Sequence, residues 1–97
     1  MLESEIENHL VEYATLKGCL VEKLVLQSGR GWPDRTIITP RGVVGFVELK
    51  RPGGRVSKQQ LIWESRLWNL GCFIYLVDSK SQAETCVDAL LEITLEK

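Results

Sequence analysis

Ninety-seven residues, 44% of them hydrophobic and 26% charged, suffice for one small domain, 1–97, with a modest core, and are too apolar for a disordered chain. No stretch approaches the roughly 20 apolar residues of a membrane span, and the acidic start Met1-Leu2-Glu3-Ser4-Glu5 lacks the basic-then-apolar order of a signal peptide, so an intracellular protein is expected. The net charge of −1 by itself points away from a polyanion partner.

Residues 3–17 are predicted as a helix: Ile6, Leu10, Tyr13 and Leu16 follow three- and four-residue steps, Lys17 sits in the last turn, and Gly18 supplies the stop. At about 100° per residue, Glu3 and Glu5 fall on opposite edges of that stripe and Glu7 lies farther round, so periodicity does not choose among the three. Each also serves as an ordinary helix-start acid. His9 falls near the stripe and reads as a packed or interface histidine. Residues 19–27 form a first strand, and Ser28-Gly29-Arg30-Gly31-Trp32-Pro33 a loop. Asp34 opens a second strand, Arg35-Thr36-Ile37-Ile38-Thr39; Pro40-Arg41-Gly42 turns the chain; residues 43–50 return beside it as a hairpin.

Arg51-Pro52-Gly53-Gly54-Arg55 is a flexible basic loop, and Ser57 caps a helix over 58–70 that Gly71 ends. On that helix Trp63, Leu67 and Leu70 make one apolar flank and Leu61 with Trp68 another, with the amide of Gln60 between them, aimed inward. Residues 72–77 are uninterrupted apolar side chains and read as a buried strand, joined to the strand at 43–50 by a parallel βαβ crossover. Ser81 caps a last helix, 82–92, with Ala83, Val87, Leu90 and Leu91 toward the core. The order α-β-β-β-α-β-α packs most economically as one central sheet with helices on its faces.

Cys19, Cys72 and Cys86 are odd in number and lack CxxC spacing, which disfavours disulfides and a thiolate zinc site. The single histidine, His9, leaves no His-based triad or His-rich metal site. Charge is unevenly spread: from Gly29 to Lys58 seven basic residues face two acidic ones, while the remainder carries five basic and eleven acidic. A basic middle between acidic ends is an electrostatic footprint for a polyanion, although a short charged run also serves as a plain solvated loop.

The basic stretch surrounds the strand Val43-Val44-Gly45-Phe46-Val47-Glu48-Leu49-Lys50, where side-chain alternation puts Glu48 and Lys50 on one face with Val44 and Phe46. Unpaired charge on an apolar strand face is costly. An ion pair is one resolution; a site is the other. The hairpin turn lies at the far end, so Asp34 shares a sheet end with Glu48 and Lys50. Two carboxylates that close repel unless a cation lies between them, and hard oxygen ligands select Mg2+. The carbonyl of Leu49 is a further oxygen donor. Lys50 can orient a water and stabilise developing negative charge on a phosphodiester, whose flanking phosphates the arginines and lysines hold. Trp32 could stack on DNA, but an aromatic beside Pro33 reads first as packing.

Gly31-Trp32-Pro33-Asp34, Glu48-Leu49-Lys50 and Ser57-x-x-Gln60, in that order, resemble the PD-(D/E)xK nuclease superfamily, and within it the short stand-alone phage form of the VRR-NUC branch. The resemblance implies an α/β restriction-endonuclease-like domain with a mixed sheet and a Mg2+- or Mn2+-dependent deoxyribonuclease. Asp34, Glu48 and the Leu49 carbonyl would be metal ligands, Lys50 the catalytic lysine and Gln60 the helix residue that orients the site. The family's first-helix glutamate maps best onto Glu3, with Glu7 the alternative. Arg30, Arg35, Arg51, Arg55 and Lys58 would contact DNA. The branch also implies a homodimer acting on Holliday-junction-like branched DNA. Two other outcomes are a DNA-binding or structural module that has lost catalysis, and a nickase or endonuclease without junction preference. Nothing reads base sequence, since no long basic recognition helix is evident.

Overall fold

The computed structural model describes residues 1–27 and 30–95, so the Ser28-Gly29 part of the predicted loop lies outside the described residues. Three helices and four strands follow in the predicted order: α1 (Glu3–Leu16), β1 (Leu20–Glu22), β2 (Arg35–Ile38), β3 (Val44–Leu49), α2 (Lys58–Asn69), β4 (Phe73–Val77) and α3 (Lys80–Glu92). The strands form one mixed sheet in the order β1-β2-β3-β4. β1 and β3 flank β2 antiparallel, and β4 runs parallel to β3 with Glu48 opposite Leu76.

β3 is one of the two inner strands, and its two faces do different work. Val43, Val47 and Leu49 join Ile6, Leu10 and Ala14 of α1 and Ala83, Val87 and Leu90 of α3 in one core. Each fully buried aliphatic side chain there contributes about 1.5–3 kcal/mol relative to exposure. Gly45 gives this packing its room, since a β-carbon at that position would lie 2.6 Å from the methyl carbons of Leu90 and force that side chain to shift. The alternate residues Val44, Phe46 and Glu48 face the opposite side, where α2 lies. Two polar contacts bind α1 to α3 along their outer seam: His9 Nε2 meets Glu84 at 2.7 Å, and Tyr13 Oη donates to Asp88 at 2.7 Å. His9 is therefore a packed residue between two helices.

Several expectations are corrected. The first strand stops at Glu22, whose partner Thr36 is the last residue of β2 that β1 pairs with; Leu24 and Val25 are exposed beyond it. On α1 the third buried position is Ala14, and Leu16 is 86% exposed at the helix end. β4 is an edge strand, with only Val77 fully buried and Leu76 49% exposed. On α2 only Leu67 is buried, whereas Leu61, Trp68 and Leu70 are exposed. The cap of α3 is Ser79, whose hydroxyl accepts from Gln82 N at 3.1 Å, in place of Ser81.

Candidate active site

The hairpin brings Asp34 to the end of the sheet that β3 reaches at Glu48. Arg35 pairs with Val47 in the antiparallel register, so Asp34, one residue before it, arrives beside Glu48. Its Oδ2 accepts the main-chain N–H of Leu49 at 2.7 Å. This contact fixes the aspartate against the strand that carries the second carboxylate. Glu48 is only 4% exposed. Its Oε1 accepts from Gln60 Nε2 and lies 3.8 Å from the Lys50 ammonium.

The Gln60 side chain that meets Glu48 also closes the start of α2. The Ser57 hydroxyl accepts from Gln60 N at 3.1 Å, and Gln60 Oε1 accepts from Ser57 N at 2.8 Å. This reciprocal pair is a capping box, which satisfies two otherwise orphaned donors at the start of the helix.

Burial pushes the Glu48 carboxyl up to about 8; the hydrogen bond with Asp34 and the Asp34 charge push the same way, Lys50 opposes them, and Glu3 adds to the rise. A buried carboxyl in contact with a second carboxyl holds its proton until a positive charge replaces it.

Beside this pair lies an open cleft of about 390 Å³ lined by Glu3, Lys50, Arg51, Gly53, Gly54 and Arg55. A tight turn shapes its far wall, with Gly54 N donating to Arg51 O at 2.8 Å. Glu3 thus stands at the cleft. Glu7 instead accepts from Arg35 Nε at 2.8 Å and lies 3.6 Å from Lys23.

The structure therefore brings together Glu3, Asp34, Glu48, Leu49, Lys50 and Gln60, with Arg51 and Arg55 on the rim. It does not bring Arg35 to them. Arg35 points to the α1 face and is held by Glu7, because strand alternation sends it to the side opposite Asp34. Arg30 and Lys58 are exposed. Trp32 is a packing residue: its ring meets Phe46 at 5.4 Å and Trp63 at 5.3 Å, both edge-on. Gly31 carries more than the sequence reading gave it, since it lies directly against the α2 backbone; the Gly-x-Pro spacing before Asp34 was the available signal.

The donor set suits a hard divalent cation. Among the described residues no three His, Cys, Asp or Glu side chains are gathered to hold an ion alone. The set here is two carboxylates with a main-chain carbonyl beside them, the kind of partial oxygen shell that Mg2+ completes with water. Each carboxylate has one oxygen engaged by an amide donor, and the two carboxyls are hydrogen-bonded to each other.

The VRR-NUC domain model matches residues 3–81. The chain belongs to the VRR-NUC family. A protein of Acyrthosiphon pisum secondary endosymbiont phage 1, named "Putative nuclease p44", is 38% identical over 78 residues, covering 80% of this chain and 84% of that one. A solved VRR-NUC domain superposes with a TM-score of 0.82 at 30% identity, over 89% of this chain and 94% of its own. The match includes every residue gathered at the sheet end. The VRR-NUC chain is accordingly a nuclease, with the small α/β fold of its family. No helix among its described residues is long and apolar enough to cross a membrane.

Proposed function

We propose that this VRR-NUC nuclease is a Mg2+- or Mn2+-dependent deoxyribonuclease that hydrolyses phosphodiester bonds in branched, Holliday-junction-like DNA as a homodimer. The observation that carries the reading is the apposition of Asp34 and Glu48 at one sheet end, with Lys50 3.8 Å from Glu48 and a basic cleft alongside. Asp34, Glu48 and the Leu49 carbonyl would hold the cation. When bound, it supplies Lewis acidity toward the scissile phosphate.

The remaining work falls to the chain. Gln60 fixes the orientation of the Glu48 carboxylate. Lys50 positions the attacking water and stabilises the negative charge that grows on the phosphoryl oxygens as the sugar oxygen departs. Glu3, across the cleft, can take a hydrogen bond from that water. Arg51 and Arg55, with Arg30 and Lys58 farther out, hold backbone phosphates by charge and carry no base readout. The phage relative supports a phage-encoded enzyme at work in a host cytoplasm.

The homodimer rests on an unusual surface. β4 is an edge strand without a single charged residue, and Trp68, 67% exposed, shares a groove with Ile74, Glu64, Ser65 and Asn69. Uncharged strand edges are surfaces that partners cover, and exposed aromatic side chains are enriched where they do. Two copies would present two sites to two symmetric strands.

The test is a cleavage panel of duplex, nicked, flap and four-way DNA in Mg2+ or Mn2+, with wild type and Asp34→Asn side by side. Wild type should cut four-way DNA fastest, and the variant should bind but not cut. Equal rates on all substrates would leave an endonuclease without junction preference. Cutting by Asp34→Asn at the wild-type rate would remove the site, and a wild type that binds without cutting would be a module that has lost catalysis.

A further inference from the structure

Four consecutive residues, Gly31 to Asp34, touch both halves of the site. Gly31 has φ +90°, and a β-carbon built on it would lie 2.4 Å from the Gln59 carbonyl carbon, 2.6 Å from the Gln59 oxygen and 2.7 Å from Gln60 N. The loop backbone is thus pressed against the first turn of α2, at the residue whose amide reaches Glu48. Those neighbours are backbone atoms, which have no rotamer by which to retreat. One residue on, Trp32 stands edge-on between Phe46 of β3 and Trp63 of α2. Pro33 is buried, and Asp34 then takes the Leu49 N–H at 2.7 Å.

α2 has little else to fix it. Leu67, 7% exposed, is its only buried residue, so no deep apolar stripe sets how far its first turn stands from the sheet. The side chain of Gln60 meets Glu48 only if that separation is right.

We propose that Gly31 and Trp32 are positioning residues that set the spacing between Gln60, Glu48 and Asp34, and through it the affinity for the divalent cation. This rests on the reading of Asp34 and Glu48 as its holders. Gly31 fixes contact with α2, Trp32 fixes the gap between α2 and β3, and Asp34 fixes the loop to β3. Neither residue touches the cation or the DNA. Supporting groups of this kind typically change metal affinity by about 10- to 100-fold when altered.

The experiment measures Mn2+ binding by isothermal titration calorimetry, well below the melting temperature, for wild type, Gly31→Ala, Trp32→Phe and Gly42→Ala. Gly42 shares the positive φ, +83°, but a β-carbon there meets nothing within 4 Å. It therefore separates backbone strain from collision with α2. Gly31→Ala should weaken Mn2+ binding about tenfold or more, Trp32→Phe by a smaller factor, and Gly42→Ala should bind like wild type while melting earlier. Trp32→Phe decides the matter should Gly31→Ala fail to fold. Gly31→Ala and Trp32→Phe both binding as wild type, or Gly42→Ala losing as much affinity as Gly31→Ala, would overturn the positioning role alone. A wild type that binds no Mn2+ would overturn the metal reading, and the positioning role with it.

Discussion

The side chain of Gln60 donates to Glu48 through Nε2 while its Oε1 accepts the N–H of Ser57 at 2.8 Å. One amide closes the start of α2 and orients a buried carboxylate. The two jobs can be separated. Ser57→Ala removes the hydroxyl cap, at a cost of about 1 kcal/mol, which in a chain of this size lowers the melting temperature by about 4–8 °C. It leaves the Glu48 donor in place, so cleavage should be nearly unchanged. Gln60→Ala leaves a buried carboxylate without its donor, a loss of about 1–3 kcal/mol. Single-turnover cleavage should fall about tenfold or more, with DNA affinity kept. Wild-type cleavage by Gln60→Ala would confine its contact with Glu48 to stability.

Glu48 also sets a pH dependence. Its pKa rises from the ordinary 4.5 to about 8, through burial first and then through Asp34. The folded value lies above the unfolded one, so the metal-free protein binds more protons folded than unfolded between them. That contribution to stability is complete below 4.5 and is lost as pH rises through about 8. Melting temperatures in EDTA should show the loss, and Glu48→Gln should flatten it. A cation must displace the same proton, so Mn2+ affinity should climb across this window in wild type. An affinity independent of pH there would place the proton elsewhere.

Local chemistry carried much of this architecture, and long-range geometry carried the rest. Gly18, Ser57 and Gly71 mark helix ends by their own backbone and side-chain preferences, and Pro40-Arg41-Gly42 marks the hairpin, so those boundaries were legible. Alternation along β3 correctly put Glu48 on the face of Phe46. The residues after Glu22 have strand composition, but composition does not say whether a neighbouring strand continues beside them. The five apolar residues of β4 look the same in the middle of a sheet as at its edge, because strand order is not a local property. Ser79 and Ser81 are both competent caps, and the register of α3 against the core decides between them. Arg35 was legible in principle: a residue adjacent to Asp34 on a strand must face away from it. The approach of Gly31 to Gln59 joins segments 28 residues apart, and only the folded chain shows it.

Arg35 and the rim arginines should therefore behave in opposite ways. Arg35→Ala breaks a partly buried contact to Glu7, 2.8 Å long. Hydrogen bonds to charged groups are worth about 1.5–3 kcal/mol, so the melting temperature should drop while the salt dependence of DNA binding is unchanged. Arg51→Ala with Arg55→Ala removes two exposed cations from the cleft rim. Stability should barely move, and the slope of log affinity against log salt should shallow by about two, close to one per lost phosphate contact. Fluorescence anisotropy over a salt series checks both. An unaltered slope in the double variant would take the loop out of the DNA interface.

The apolar edge gives the last prediction. Trp68 and Ile74 line one groove, and Leu76, two residues along β4 and on the same face as Ile74, is 49% exposed. If a second copy covers this surface, Trp68→Lys should leave the fold intact, because that side chain does not belong to the core. The lysine would have to be desolvated against its own symmetry mate, since a two-fold interface brings the same patch from both subunits. Sedimentation at micromolar concentration should then show dimers for wild type and monomers for the variant. The functional signature is finer than a loss of rate. Each monomer retains Asp34, Glu48 and Lys50, so nicking of supercoiled DNA should continue. Paired incision of four-way DNA needs two sites held together, and it should give way to single nicks. A variant that remains dimeric, or a monomer that still makes paired cuts, would place the partner surface elsewhere or remove the need for it.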